Sequence, residues 1–553
     1  MRTDRLYLYL LLGTAIPVFM GALLLVSSVF LLLGFSLEWY HIPLAAVPGA
    51  LFVWWGAGQF FPRIRRRMFL ATSAWAVGAF VVFALLNGWI YDTSWDGQNY
   101  HFEAILQLVD GWNPFYERPT NAIYSPHLEH FPKGPWINAV ALYKLTGNLE
   151  QAKAFHMLLM LAAYLLSITA LSTFRRLKRQ WVILLSLLAT FNPVSICQLF
   201  TFYVDGLMAS SIVIVISLFI LIYRQPSRPL LVTAASTIVI MVNIKLTGAI
   251  YAAIFGVSFG LWVIYHKKHY RLALATCLLA GYFAGVLIVG YNPYISQYVS
   301  QYLSTGNPFY PSDLRTYIPL EDNAPANFPS MNWGDKLLTS LFSRSQETKG
   351  PSQYKWPFTF DLMELMAFYA PDVRVAGFGP LFGGAVLLTG ALLMVAIARY
   401  WMRLMAAPIL VLLLVATLVS GLSNPEAWWA RFVPQLWLVP LLIILLIVYT
   451  VPRGRLYRLS HIVVVILCVN LMLITPPYLI SAVARSALQT LHLAQLKNAD
   501  ERIIVTFNRF VSMEFRFRES GIEYQSVDEL PCPVSQQQSI MGTETRICSP
   551  QMR

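Results

Sequence analysis

The sequence predicts an all-α polytopic membrane protein with about thirteen transmembrane helices. The chain is 57% hydrophobic, only 12% of its 553 residues are charged, and its mean hydropathy is +0.57. Apolar segments of roughly 20 residues, the length that crosses a bilayer as a helix, recur between polar or basic residues. This composition excludes a soluble globular protein.

The predicted spans divide the chain into three regions. They are 7–33, 42–62, 68–91, 151–174, 181–200, 206–223, 229–244, 247–265, 271–291, 376–398, 404–422, 432–450 and 459–479. The first is too long for the apolar core of a signal peptide, so we expect it to be retained. We therefore expect an N-terminal helical hairpin (1–67), a transmembrane domain (68–480) and a small C-terminal region (481–553).

Short basic clusters fall on one side of the predicted membrane. They are Arg63/Arg65/Arg66/Arg67, Arg175/Arg176/Lys178/Arg179, Arg224/Arg228, Lys267/Lys268/Arg271, Arg399/Arg403 and Arg453/Arg455/Arg458. The positive-inside rule assigns that side, and the N-terminus, to the cytoplasm. Two long loops, 92–150 and 292–375, and the C-terminus are then extracytoplasmic. Because these clusters orient helices and contact anionic lipid, the net charge of +13 gives little support to nucleic-acid binding.

The C-terminal region is predicted to be a small α/β unit. Residues 502–507 have the composition of a strand, and a helix capped by Asn508 is expected to end before Gly521. A second strand is expected over 522–527. Cys532 and Cys548 lie in the same region, where an oxidising compartment would permit a disulfide.

The first long loop contains the strongest candidate for a catalytic residue. Asp96 follows the third span directly, and Tyr100 and His101 come about one helical turn later. Apolar residues after His101 recur at helical spacing, which predicts an interfacial helix with one face along the membrane surface. Such a helix would hold the carboxylate of Asp96 at the water boundary.

A cluster in the same loop, His127-x-Glu129-His130, could bind a divalent cation. This spacing does not place its ligands on one helical face, so an ordinary polar loop is the favoured interpretation. No cofactor is predicted with certainty, and a divalent cation stays open.

Several motifs together resemble the GT-C superfamily of bacterial integral membrane glycosyltransferases, broadly the group of the aminoarabinose and protein mannosyl transferases. The resemblance covers roughly 68–450, and an additional helical hairpin precedes it. The motifs are Asp96-Gly97-Gln98-Asn99-Tyr100-His101, Gly111-Trp112-Asn113-Pro114, Phe131-Pro132-Lys133-Gly134-Pro135-Trp136, Tyr203-Val204-Asp205-Gly206, Asn243-Ile244-Lys245-Leu246-Thr247-Gly248, Gly290-Tyr291-Asn292-Pro293, Gly306-Asn307-Pro308-Phe309-Tyr310-Pro311 and Trp428-Trp429-Ala430-Arg431-Phe432.

The resemblance implies that a sugar passes from a polyprenyl-phosphate donor to a glycan, lipid or protein acceptor outside the bacterial cytoplasmic membrane, with inversion at the anomeric carbon. Transfer needs a base for the acceptor hydroxyl, and Asp96 is the candidate. It also needs cations for the departing phosphate, and the candidates are Lys245, Arg431 and Lys133. Simple snorkelling to the interface is an equally good interpretation of Lys245.

The residues that are candidates for sugar binding also have structural interpretations that involve no substrate. Trp428 and Trp429 are either interfacial belt residues, which is slightly favoured, or stacking surfaces for a sugar. Asp205 is a secondary candidate for the site, and it also fits an ordinary carboxylate at a helix N-terminus. Tyr100 and His101 complete the set of substrate-binding candidates. The second loop, rich in proline, is assigned to acceptor recognition.

Two other functions stay open at this stage. A flippase or transporter would place charges near span centres and show matched helical halves, neither of which is evident here. A polysaccharide polymerase or ligase would also use lipid-linked sugars outside, with Arg- and His-centred loops for a diphosphate. The Asp-led first loop favours the glycosyltransferase.

Overall fold

The computed structural model describes residues 3–120, 122–266, 271–287, 302–306, 323–499 and 501–548. The motif that begins at Gly290, and the motif after Gly306, lie outside these residues, as do residues 307–322 of the second long loop. Within the described residues the protein is mainly helical, with one small sheet near the C-terminus.

The helices follow one another along nearly the whole chain. They are α1 (Thr3–Leu32), α2 (His41–Phe60), α3 (Arg65–Gly88), α4 (Phe102–Val109), α5 (Ser125–His130), α6 (Gly134–Thr146), α7 (Ala154–Ser172), α8 (Arg179–Thr190), α9 (Pro193–Cys197), α10 (Asp205–Arg224), α11 (Arg228–Ile244), α12 (Leu246–His266), α13 (Arg271–Leu287), α14 (Trp333–Phe342), α15 (Leu362–Ala367), α16 (Phe382–Met405), α17 (Pro408–Leu422), α18 (Leu438–Thr450), α19 (Arg455–Lys497) and α20 (Val511–Ser520).

Seven helices of the described chain are long and apolar enough to cross a membrane: α1, α3, α7, α10, α12, α16 and α19. Five further apolar helices, α8, α11, α13, α17 and α18, are shorter, and α2 has 20 residues. The prediction of a mainly helical membrane protein is confirmed, whereas the number of thirteen spans stays a prediction. α10 is buried along nearly its whole length and packs against α7 and α11, so it lies at the centre of the helical bundle.

Proline residues interrupt the α-helix in two of the predicted spans. The segment 181–200 ends its first helix at Thr190, and Asn192 then caps the short α9 by accepting a hydrogen bond from the backbone N–H of Val194. The segment 432–450 begins with a 3₁₀ turn at Pro434, and its α-helix starts only at Leu438.

The helix that contains the last predicted span, 459–479, extends well beyond it. Helix α19 has 43 residues and continues through Pro476 and Pro477 to Lys497. The boundary predicted at 481 therefore lies inside a helix that leads directly into the C-terminal unit. At the other end of the chain, α1 of the N-terminal hairpin packs against α7 and α11 as well as against α2, so the hairpin belongs to the bundle.

The C-terminal unit is an α/β fold, as predicted in outline. Its four strands, β1 (Ile503–Thr506), β2 (Tyr524–Ser526), β3 (Gln537–Ser539) and β4 (Arg546–Cys548), form a sheet in the order β2-β1-β4-β3. β1 is parallel to β2 and antiparallel to β4, and β3 and β4 were not predicted. Gly521 ends α20 in the left-handed conformation, with φ 68°, as expected. Asn508 does not cap that helix, because the cap position is Phe510 and the Asn508 amide donates to the carbonyl of Glu544.

Cys532 and Cys548 form a disulfide across this unit. The bridge joins the last strand to the segment that precedes β3. The loop that it closes contains β3 and β4.

The helix predicted after Asp96 is present, but its apolar face is covered by protein. Phe102, Ile105 and Leu108 of α4 are fully buried and pack with residues of α6, among them Trp136 and Val140. The expected interfacial helix is therefore an internal one, because the helical spacing of its apolar residues matches a protein core as well as it matches a lipid surface.

Candidate functional site

Four connections between helices meet at one end of the bundle and enclose a cavity of about 290 Å³. Asp96 follows α3, Asp205 begins α10, Lys245 separates α11 from α12, and Arg431 lies between α17 and α18. Polar residues at or near helix ends thus come together, although they are far apart in the sequence. Asn323 of the second long loop also lines the cavity.

Asp96 lies on a short helical turn, residues 95–101, that we call the Asp96 turn. From Gly97 to His101 the turn is a π-helix, a local widening that often occurs at functional sites. The Asp96 Oδ2 atom accepts a hydrogen bond from Arg431 Nη1 at 2.9 Å and a longer one from the Tyr100 hydroxyl at 3.4 Å. The predicted proximity of Tyr100 to Asp96 is therefore confirmed. The Asp96 side chain is 21% exposed and so remains accessible from the cavity.

Arg431 is the cation at the centre of the site. Its Nη1 lies 2.9 Å from Asp96 Oδ2 and 3.3 Å from Asp372 Oδ2, so one guanidinium bridges two carboxylates. The guanidinium carbon also lies 5.3 Å from the ring centre of Tyr203 and 5.0 Å from that of Phe432. These cation–π contacts and the two ion pairs orient the side chain towards the cavity.

Lys245 forms the second ion pair of the cavity. Its Nζ donates to Asp205 Oδ1 at 2.6 Å, and Asp205 Oδ2 accepts from Gln198 Nε2. Lys245 also lies over the ring of Phe432, 4.1 Å from its centre. Its side chain is 25% exposed whereas that of Asp205 is 4% exposed, so the ammonium is the more accessible partner.

His101 is a neutral hydrogen-bond acceptor at the base of the cavity. Its Nδ1 accepts a hydrogen bond from Trp136 Nε1 at 2.8 Å, which leaves the second ring nitrogen as the protonated one. Burial lowers the pKa of His101 to about 3. His127 stacks on the ring of Tyr100 at 4.7 Å, and burial lowers its pKa as well. Both imidazoles are therefore uncharged at neutral pH and add polarity without charge.

Asp372 of the second long loop is the site residue that the sequence did not single out. Burial and the neighbouring Asp96 raise the pKa of Asp372 to about 6, although Arg431 opposes this shift. Its Oδ1 accepts a hydrogen bond from Trp429 Nε1 at 2.6 Å. Nearby, burial and Asp372 raise the pKa of Glu347 to about 8, against the opposing effect of Arg374. The pKa values of Asp372 and Glu347 thus lie on either side of neutral pH, so the total charge of these two carboxyl groups changes in that range.

Six of the nine predicted site residues line the cavity: Asp96, Tyr100, His101, Asp205, Lys245 and Arg431. The structure does not bring Lys133, Trp428 and Trp429 to its wall. Lys133 is completely buried, and its Nζ donates to the carbonyl of Glu129 at 2.8 Å. Burial lowers the pKa of this lysine to about 7, so it is a poor permanent cation for a phosphate.

The two tryptophans are structural residues of the cavity's outer shell. Trp428 and Trp429 are 3% and 1% exposed, and their rings stack at 5.1 Å. The indole of Trp428 donates to Glu426, and that of Trp429 donates to Asp372. Neither the interfacial belt nor a sugar-stacking surface describes them, because no large ring face is accessible. Phe432, which lines the cavity and is half-buried, is the better stacking candidate.

His127 lines the cavity, where its imidazole ring stacks on the ring of Tyr100. Among the residues that the structure describes, no group of three or more His, Cys, Asp or Glu side chains is arranged to hold a metal ion.

Asp372 and Tyr203 had only weak signals in the sequence. Tyr203 lies two residues before Asp205 in one of the motifs, and this spacing indicated a position close to the site. Asp372 was one of several acids in a loop of more than eighty residues, and nothing in its local sequence distinguishes it from Asp361 or Glu364.

The arrangement supplies a partly exposed carboxylate beside a bridging arginine, a second cation and aromatic rings around one cavity. Such a set can bind an anion, orient a hydroxyl and accept its proton. The chain matches no protein-family model, and a search of curated proteins found no match.

Proposed function

We propose that this protein is an integral membrane glycosyltransferase that moves a sugar from a polyprenyl-phosphate donor to a glycan, lipid or protein acceptor. The observation that carries the proposal is the bridge between Asp96 and Arg431, which joins the candidate base to the candidate phosphate ligand across 335 residues. The reaction would take place on the extracytoplasmic face of a bacterial cytoplasmic membrane. The N-terminus is then cytoplasmic and the C-terminal unit extracytoplasmic.

In this mechanism the donor phosphate competes with the carboxylates for the two cations. A polyprenyl-phosphate sugar is a phosphodiester with one negative charge, and both Arg431 and Lys245 face the cavity. Arginine binds a phosphate through two parallel hydrogen bonds. Both carboxylate contacts of Arg431 are made by Nη1, at 2.9 and 3.3 Å, and its Nε has no hydrogen-bond partner among the described residues. Donor binding therefore draws Arg431 away from Asp96 and leaves that carboxylate available to the acceptor.

The transfer step is a single displacement. The acceptor oxygen attacks the anomeric carbon and forms the new C–O bond while the bond to the phosphate oxygen breaks. The electron pair leaves with the lipid phosphate, whose added charge is stabilised by Arg431 and Lys245. Asp96 takes the proton of the acceptor hydroxyl, and the configuration at the anomeric carbon inverts.

The position of the charges favours this function over a flippase. Asp205 is the first residue of α10, Lys245 lies between two helices, and Arg431 lies in a 3₁₀ turn. A transport path would place ionisable groups near the middle of helices. The ion pairs of this cavity lie instead at or between helix ends.

The decisive experiment is a transfer assay on purified protein in lipid nanodiscs. A panel of labelled short-chain polyprenyl-phosphate sugars is supplied with detergent-extracted envelope glycans and lipids as acceptors. We expect Asp96→Asn to lower the transfer rate by about 100-fold or more, the scale of a lost general base. The control Asp110→Asn changes an exposed carboxylate of the same loop and should be within twofold of the wild type.

Two results would contradict the proposal. Full transfer by a correctly folded Asp96→Asn variant would remove the assigned base. Movement of the intact lipid-linked sugar across a bilayer, with no transfer to any acceptor, would favour the flippase, and a requirement for a diphosphate donor would favour a polymerase or ligase.

A further inference from the structure

The C-terminal α/β unit packs directly against the Asp96 turn. Trp95 meets Phe510 edge to face, with 5.1 Å between ring centres. The side-chain amide of Gln98 donates to the carbonyl of Gly542 at 3.1 Å. Residues on both sides of Asp96 are thus in contact with a unit that begins about 400 residues later in the chain.

One arginine makes most of the polar contacts across this junction. Arg516 of α20 is 1% exposed. Its Nη1 donates to Gln98 Oε1 at 2.8 Å, and its Nη2 donates to the Asp92 carbonyl at 2.8 Å and to Glu150 Oε1 at 2.7 Å. The guanidinium therefore holds the chain four residues before Asp96 and two residues after it.

The same contacts extend to the far wall of the cavity. The carboxylate of Asp92 accepts hydrogen bonds from the backbone N–H groups of Ser94 and Phe202, each at 2.7 Å. Phe202 precedes Tyr203, whose ring lines the cavity beneath Arg431. The position of Arg516 is therefore linked through Asp92 to two elements of the site.

Arg516 belongs to a buried group of charges. Glu150 pairs with Lys153 Nζ at 2.6 Å and with Arg516 Nη2 at 2.7 Å, and the buried carboxylate of Asp92 accepts hydrogen bonds from backbone N–H groups. Removing one member of such a group leaves an uncompensated charge in a low-dielectric interior. A junction that served stability alone could be apolar at lower desolvation cost, so the directional hydrogen bonds to Gln98 and Asp92 are the informative feature.

We propose that the C-terminal unit positions the Asp96 turn and that Arg516 is the positioning residue. This inference rests on the proposed function, because it assigns the unit the task of fixing the candidate base relative to Arg431. The unit acts through the turn and does not touch the substrates.

The test compares Arg516→Lys and Arg516→Met with Arg518→Ala. Arg518 lies on the same helix, is 65% exposed, and pairs with Glu514 inside the unit, so it is a matched control. Lysine keeps the charge of Arg516 but cannot make the forked contacts. Arg516→Lys therefore still gives a result if Arg516→Met, which removes the buried charge, fails to fold. Two measurements are made: kcat and KM for the lipid-linked sugar, and hydrogen–deuterium exchange of residues 92–101.

Both Arg516 variants should show faster exchange in residues 92–101. Their kcat should fall by about tenfold or more, since a displacement of the order of 1 Å in the candidate base is enough to lose this much rate. The donor KM should stay within about twofold of the wild-type value. Arg518→Ala should match the wild type in both measurements. The inference is overturned if Arg516→Lys and Arg516→Met leave exchange and kcat unchanged, or if only KM rises. Exchange is measured without substrate, so failure of the proposed function, seen as full activity of Asp96→Asn, is distinguished from failure of this inference.

Discussion

Gly97→Ala is the substitution whose effect is most directly fixed by geometry. A Cβ atom at Gly97 would lie 2.0 Å from Asp92 Oδ2 and 2.4 Å from Ser94 Oγ. Ordinary carbon–oxygen contacts need more than 3 Å, so either the carboxylate or the π-helical turn must move by about 1 Å. The hydroxyl of Ser94 can rotate, whereas the Asp92 carboxylate is completely buried and has two backbone partners.

The expected cost follows from the contacts that must break. Hydrogen bonds to a charged group contribute about 1.5–3 kcal/mol each, and the displaced carboxylate of Asp92 loses its bonds to Ser94 and Phe202 at least in part. Alanine recovers about 1 kcal/mol of helix propensity relative to glycine. The free energy of unfolding should therefore fall by about 2–5 kcal/mol.

The assay is thermal or denaturant unfolding in detergent, combined with exchange over residues 92–101. Gly78→Ala is the control, because Gly78 also lies in a helix and no atom lies within 4 Å of the Cβ position. We expect the control to be as stable as the wild type or slightly more stable. Equal unfolding midpoints for the Gly97 and Gly78 variants would refute the claim that the close approach of Asp92 requires glycine.

Three further predictions concern the cavity and the C-terminal unit. Lys245→Met should lower the free energy of unfolding by about 3 kcal/mol, because it leaves the buried Asp205 without its cation, and adding Asp205→Asn should recover part of that loss in a double-mutant cycle. The donor KM should rise as the pH increases through about 6, because Asp372 becomes ionised there and binds Arg431 more tightly, and Asp372→Asn should flatten this dependence. Cys532→Ser should make the C-terminal sheet unfold more easily by about 2–3 kcal/mol, since the disulfide closes a loop across a separation of 16 residues, and its effect on exchange should be greatest in β3 and β4.

The sequence was sufficient for features that depend on local patterns. The apolar segments predicted the positions of the long helices, since hydrogen bonding in lipid leaves few alternatives. Gly521 was recognised as a helix terminator because only a residue tolerant of positive φ suits that position. Tyr100 was placed beside Asp96 because residues four apart lie on one helical face.

Features that depend on long-range packing could not be predicted in the same way. Trp428 and Trp429 have the composition of an interfacial belt, yet both are buried, because the second long loop contacts Trp428 through Phe328 and Ser340 and Trp429 through Asp372. Lys133 was expected to meet a phosphate but binds a backbone carbonyl instead. The residue type determines the chemistry of a side chain, whereas the group that the side chain contacts depends on which loop packs against it in the folded protein.

The contact between Asp96 and Arg431 affects the roles that were predicted for both residues. Each residue was proposed separately, one as a base and the other as a phosphate ligand, and the structure places the two groups 2.9 Å apart. An arginine that holds the candidate base is not fully available to a phosphate, and the carboxylate oxygen that binds the arginine is not free to accept a proton. The two roles are compatible only if donor binding separates the pair. This makes Asp372 important, because a second carboxylate at 3.3 Å can keep the guanidinium oriented after Asp96 has been released.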